Sequence, residues 1–396
     1  MDSQEPLVKF IAWRVDMKRT GILISIFFAC LVSVAWGQQP ACTGCNNWSE
    51  FHRTNMQRWN PYENVLNVGN VGGLSLKWSF TTGSSVYSSP AVVDGVVYIG
   101  SADGNLYALN ATTGHKLWRY TTGNEVVSSP AVVNGVVYFG SQDYSVYALN
   151  AKTGVLLWSY QTGRWVPSSP TVVNGVVYVG SDDGNMYALQ ASDGTLLWSY
   201  DTSLYMDNSP ANSPAVANGA VYFNNGTDEL VYALDAATGT PLWTYDTEFF
   251  NQSSPAVANG VVYVGSNDGN LSALDPTTGA VLWNYSAGSV VSSPAVAYGV
   301  VYYGASDNSV HALNATTGAS VWSHKTGGYV SGSPAVANGV VYAGSYDQKV
   351  YALNAKTGAK LWSYATGNQV ESSPIVANGM VYVGSDDHTV YAFGLN

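Results

Sequence analysis

Residues 88–123 read SSPAVVDGVVYIGSADGNLYALNATTGHKLWRYTTG, and every break in the stretch is a turn signal. Ser88-Ser89-Pro90-Ala91-Val92-Val93 reads as a first strand, because proline cannot donate to a ladder and belongs where a strand begins. Asp94-Gly95 fits a two-residue hairpin turn that needs positive φ at both central positions. Val96-Val97-Tyr98-Ile99-Gly100 is rich in β-branched and aromatic side chains and reads as a buried second strand. Asp103-Gly104-Asn105 turns the chain into Leu106–Asn110, and Thr112-Thr113-Gly114 turns it into Lys116–Tyr120. Four short antiparallel strands in about 40 residues are one blade of a propeller.

The stretch recurs. Trp78, Trp118, Trp158, Trp198, Trp243, Trp283, Trp322 and Trp362 follow one another at 40, 40, 40, 45, 40, 39 and 40 residues. Ser-Pro dipeptides ending at Pro90, Pro130, Pro170, Pro214, Pro255, Pro294, Pro334 and Pro374 keep the same beat. A period of this length filled with strands predicts a radial repeat. The first tryptophan strand, Leu76–Phe80, precedes the first Ser-Pro unit, and the last unit ends at Tyr391-Ala392-Phe393 with no tryptophan strand behind it. The N-terminal strand is therefore expected to complete the C-terminal blade, which removes free sheet edges. The prediction is an all-β, eight-bladed propeller over residues 74–396, closed by the strand around Trp78.

Composition agrees. The chain has 396 residues, of which 10% are charged, with 41 glycines, 28 tyrosines and a net charge of −11. That profile suits short strands and tight turns, and its acidity argues against nucleic acid or an anionic membrane surface as partner.

Lys18-Arg19 precede the apolar run 21–36 and the small-x-small pattern Ala35-Trp36-Gly37. Residues 1–37 read as a signal peptide, with Met17 a plausible start, and imply a periplasmic or secreted protein with no membrane span after cleavage. A lead segment, residues 38–73, follows. Its Cys42 and Cys45 leave three readings open: a local disulfide, two thiols, or a redox pair. A c-type haem site would need histidine where Asn46 stands, and the five scattered histidines offer no zinc set.

Ala108-x-Asn110-x-x-Thr113-Gly114-x-x-x-Trp118 resembles the tryptophan-docking motif of the PQQ-like propeller family, which holds quinoprotein dehydrogenases and BamB-like scaffolds. Copies built on Ala148, Ala188, Ala233, Ala273, Ala312 and Ala352 keep the phase, with Asp193 replacing threonine in the Ala188 copy. Residues 47–61 resemble the approach segment of the same proteins. The resemblance implies that each tryptophan packs between blades against the glycine-bearing turn of a neighbour. It also implies two functions, a dehydrogenase using pyrroloquinoline quinone (PQQ) with Ca²⁺ or a non-catalytic scaffold. The repeats are nearly bare and lack an adjacent cysteine pair, which favours the scaffold.

Function must be sought where the copies differ. Asp103, Asp143, Asp183, Asp228, Asp268, Asp307, Asp347 and Asp387 recur in every second turn, so they read as turn formers rather than calcium ligands. The connections from each tryptophan strand to the next Ser-Pro unit vary. They carry Glu125, Arg164, Trp165, Tyr205, Asp207, Asn208, Phe249, Phe250, Asn251, Tyr329, Gln369 and Glu371, with the long insertion between Trp198 and Trp243. Placed round one funnel mouth, they form a candidate site for a protein, peptide or glycan. Tyr205, Phe249, Phe250, Tyr329, Gln369 and Glu371 are its expected lining. For a minimal PQQ enzyme, Trp165 would stack on the quinone and Arg164 would bind its carboxylates. Glu125 with Asn208 or Asn251 would hold Ca²⁺, and Asp207 would be the base. A multivalent lectin with one weak site per blade is the third reading.

Overall fold

The computed structural model describes residues 46–53, 56–202, 212–226, 229–249, 251–286, 288–290 and 292–396. The signal-like segment and Cys42, Cys45, Tyr205, Asp207, Asn208, Asp228 and Phe250 lie outside the described residues.

Eight sheets of four antiparallel strands each form the blades. Blade 1 comprises Ala91–Val93, Val96–Ser101, Asn105–Asn110 and Lys116–Thr121, and the other blades repeat this plan. The first strands are shorter than the sequence suggested, since Ser88, Ser89 and Pro90 stay outside the ladder. The first hairpin turns hold positive φ at both central residues, as at Asp94 (50°) and Gly95 (78°), which only a residue tolerant of the left-handed region accepts cheaply. In blade 8, Ser75–Thr81 pairs antiparallel with Thr389–Gly394, with Trp78 opposite Ala392. The N-terminal strand thus closes the ring.

Each tryptophan joins its blade to the next. A Cβ on Gly114 would lie 2.7 Å from the Trp78 ring, and the same close approach recurs from Trp118–Gly154 to Trp322–Gly358. The indole N–H groups donate to the carbonyls of Ala111, Ala151, Ala191, Ala236, Pro276, Ala315 and Ala355 at 2.9–3.1 Å. Trp362 departs from the pattern, and its N–H donates to the Leu74 carbonyl, 3.0 Å away, just past the lead segment. Trp78, Trp158, Trp243 and Trp322 are buried, while Trp118, Trp198, Trp283 and Trp362 keep a partly exposed ring edge.

Two devices sit at the centre, and the first gives the periodic Ser-Pro dipeptide a second role beside opening the strand. The serines before the prolines form a closed circle. Ser89 N–H donates to Ser129 Oγ, Ser129 to Ser169, and so on round to Ser373, which donates to Ser89, all at 2.9–3.1 Å. The lead segment then runs round the inside of this circle. Trp48 exchanges two backbone bonds with Val92, Val132 N–H donates to Ser49 O, and Val172 N–H donates to a Glu50 carboxylate oxygen. Val257, Val296 and Val336 donate to the carbonyls of Met56, Gln57 and Arg58. Trp59–Asn60 adds a parallel fifth strand to blade 7, and Asn60 Nδ2 donates to Val376 O of blade 8. Among the described residues, seven of the eight innermost strands are therefore tied to one thread, which supplies partners for inner-edge groups that would otherwise be orphaned.

The thread carries buried ionisable groups. Burial pushes the Glu50 carboxyl up to about 8, opposed by the Val172 N–H bond. Burial, aided by the Arg58 charge, pulls the His52 imidazole down to about 3, with the Ser213 backbone opposing. Folded Glu50 keeps a proton that the unfolded chain, with its ordinary value of 4.5, has already lost. Its contribution is thus full at acid pH and lost as pH rises toward 8. Glu50→Gln is expected to match the parent near pH 4.5 and then to gain on it by up to about 1.4 kcal/mol per pH unit toward pH 8. Denaturant titrations across that range check this, and parallel stability curves would refute it.

Candidate functional site

The second turns and the interblade connections share one face, the funnel face. The recurring aspartates are consumed there by structure. Asp103 accepts Gly83 N–H at 2.6 Å and the Tyr107 hydroxyl at 2.7 Å, latching the turn to the preceding connection. Asp143, Asp183, Asp347 and Asp387 do the same. In blade 6 His311 replaces the tyrosine, with Nε2 3.0 Å from Asp307. Among the described residues no group of three or more histidines, cysteines or acids could hold a metal ion.

Above this latch lies the variable layer. The residue before the turn aspartate donates its N–H to the connection. Gln142 donates to Glu125 O, Asp182 to Trp165 O, Tyr346 to Tyr329 O, and Asp386 to Gln369 O, at 2.8–3.0 Å. Four positions therefore meet at each fully described seam between blades. Between blades 1 and 2 they are Gly104, Asn124, Glu125 and Gln142; between blades 5 and 6 they are Gly269, Gly288, Ser289 and Ser306.

The seam between blades 2 and 3 carries Tyr144, Arg164, Trp165 and Asp182, and these four line a cavity of about 160 Å³. Trp165 is 44% exposed. Tyr144 sits at φ 76°, a position held by glycine in blades 1, 3 and 5 and by Glu229, Asn308, Gln348 and His388 in blades 4, 6, 7 and 8. Burial raises the Asp182 carboxyl to about 6, with Arg164 opposing and Asp183 adding to the rise. Its Oδ1 is buried with no partner, which costs about 1–3 kcal/mol unless something donates to it.

Blades 7 and 8 gather a second cluster. The Tyr329 and Tyr346 rings lie 5.9 Å apart, and burial, then Glu371, push the Tyr346 hydroxyl up to about 12. Burial, then Glu371 and Asp387, push Asp386 up to about 7. Tyr329 lies on the connection into blade 7, and Gln369 and Glu371 on the connection into blade 8. Phe249 is exposed on its own connection. Asn251 does not face an open mouth. It is fully buried, its Oδ1 accepts Ser253 N–H, and its carbonyl accepts Asn212 Nδ2.

Tyr144, Asp182, Tyr346 and Asp386 were missed. The signal was available: the positions on either side of each turn aspartate vary as freely as the connections do. It was overlooked because the neighbouring invariant aspartate drew the reading toward turn chemistry.

A family model described as outer membrane protein assembly factor BamB matches residues 43–223, 163–302, 227–330 and 306–395. The chain belongs to this BamB-type, PQQ-like propeller family. Among curated proteins, none matches the chain significantly. BamB from Moraxella catarrhalis superposes with a TM-score of 0.70 at 20% identity, over 81% of this chain and all of that one. Quinohemoprotein alcohol dehydrogenase ADHIIG from Pseudomonas putida HK5 superposes at 0.77 and 18% identity, over 89% of this chain and 81% of the other. The computationally designed protein Ika8 gives 0.70 at 21% identity, over 80% and 98%. At these identities the likeness is one of fold.

The fold family includes quinone enzymes, so the residues must be tested against PQQ and Ca²⁺. A calcium ion takes roughly six to eight oxygen ligands. The Trp165 cavity offers one carboxylate, Asp182. Glu125 belongs to another seam, and Asn251 is buried in its own hydrogen bonds in the connection into blade 5. The described residues of this BamB-type propeller do not fit the quinone–calcium pair.

Proposed function

We propose that this chain is an exported, non-catalytic binding module that engages its partner through the funnel face. One observation carries the reading. The invariant parts of the repeat go into latches, the serine circle and the tryptophan girdle, while the differences collect at the seam positions of a single face. The inner strands are meanwhile occupied by residues 48–53 and 56–60. Export rests on residues 1–37. The dissimilar seams support one principal site over eight equal ones, so the lectin with a site per blade has less support.

The test is retention on immobilised cell-envelope proteins and polysaccharides. Trp165→Ala combined with Tyr329→Ala should abolish retention, and Asn134→Ala, on the opposite face, should leave it intact. Equal retention by both would overturn the reading. So would alcohol-dependent dye reduction by the parent chain supplied with PQQ and Ca²⁺.

A further inference from the structure

The cavity between blades 2 and 3 has internal controls, because the same four positions at other seams carry different side chains. Between blades 8 and 1 they are His388, Ser84, Ser85 and Ala102. At the cavity, three separate segments supply the lining, and of its four side chains only Asp182 has a counterpart at another seam, Asp386. Tyr144 comes from the second turn of blade 2, Arg164 and Trp165 from the connection, and Asp182 from the second turn of blade 3. Their chemistry is complementary. The indole and phenol offer flat apolar faces. Arg164 supplies planar donors, and Asp182 supplies acceptors, including the buried, unpartnered Oδ1. The two charges cancel, so neither a cation nor an anion gains from the pair. A purely apolar group would leave Asp182 unanswered. A ring with one apolar face and a rim of hydroxyls, each both donor and acceptor, answers every group.

We propose that the seam between blades 2 and 3 is a subsite for one neutral pyranose ring of a glycan, stacked on Trp165 and held at its rim by Arg164 and Asp182. The assignment rests on the funnel-face reading and gives that face a ligand class. Tyr144 closes the side of the slot.

The test uses the chain from Gln38 onward on an array of neutral hexose and N-acetylhexosamine glycans, followed by calorimetry with the strongest binder. One equivalent is expected to bind. Trp165→Ala should weaken binding about tenfold or more, and Asp182→Asn and Arg164→Ala by about three- to tenfold each. Lys152→Ala, in a third turn on the opposite face, should bind as the parent does, and all four variants should melt with the parent. Binding that survives Trp165→Ala, binding of acidic glycans or peptides alone, or no binding on the array would each overturn the proposal. The same preparation is assayed for PQQ- and Ca²⁺-dependent dye reduction. Turnover there overturns the binding-module reading itself, whereas a silent array without turnover overturns the sugar assignment alone.

Discussion

Replacing Arg58 with methionine will destabilise the propeller by about 3–5 kcal/mol, close to the cost of breaking a buried charged contact. Arg58 is fully buried on the axis. Its Nε donates to Pro334 O at 2.9 Å and its Nη2 to Pro374 O at 3.1 Å, so one side chain ties blades 7 and 8 together. Nη1 donates to Phe51 O within the thread. The guanidinium also lies over the rings of Phe51, at 4.6 Å, and Trp48, at 5.5 Å. Burial alone pulls its pKa down to about 9, and the three carbonyls keep it charged at neutral pH. Methionine fills the volume but orphans those carbonyls, each worth about 1–3 kcal/mol when left unpaired. Arg58→Lys should recover only part of the loss, since an ammonium cannot span three acceptors in a planar fork. Equilibrium urea unfolding checks both variants, and a loss below about 1 kcal/mol for methionine would remove Arg58 from the account of how the ring is held.

The second large effect is expected at Trp78, whose truncation to alanine should cost about 3–5 kcal/mol, the range for buried tryptophans. The indole sits on the Gly114 turn of blade 1 and donates to Ala111 O at 2.9 Å, and its ring centroid is 6.0 Å from that of Tyr382. Its strand supplies the outer edge of blade 8, so the substitution loosens the one place where the two ends of the propeller meet. Gly114→Ala attacks the same contact from the other side, because φ is +71° and the new Cβ would enter the indole. Both variants should unfold at lower denaturant than Trp118→Ala, whose ring is partly exposed and lies within the continuous chain. A melting temperature unchanged by Trp78→Ala would count against closure by the N-terminal strand.

Much of the candidate site was readable. Trp165 stood out because it broke the tryptophan period, and Arg164, Tyr329 and Glu371 because their connections varied. Asn251 shows the limit. It looked like an exposed polar ligand beside the insertion, but it occupies the place where blades 1 to 3 bury Val86, Val126 and Val166, and the fold buries it too. Position along a loop does not say which residue turns inward. Glu125 shows another: sharing a face with Asn251 does not bring the two to one ion, because each belongs to its own seam.

The sequence by itself determined the blade, the number of blades and the closure. Those features are local, since a type I′ turn, a strand and the start of the next blade each reside within 40 residues and repeat. The thread through the inner strands and the convergence of Tyr144, Arg164, Trp165 and Asp182 were decided only by the tertiary structure. They join residues that lie as far apart as Arg58 and Pro374, and such pairings leave no pattern along the chain because their partners become neighbours only once the ring has closed.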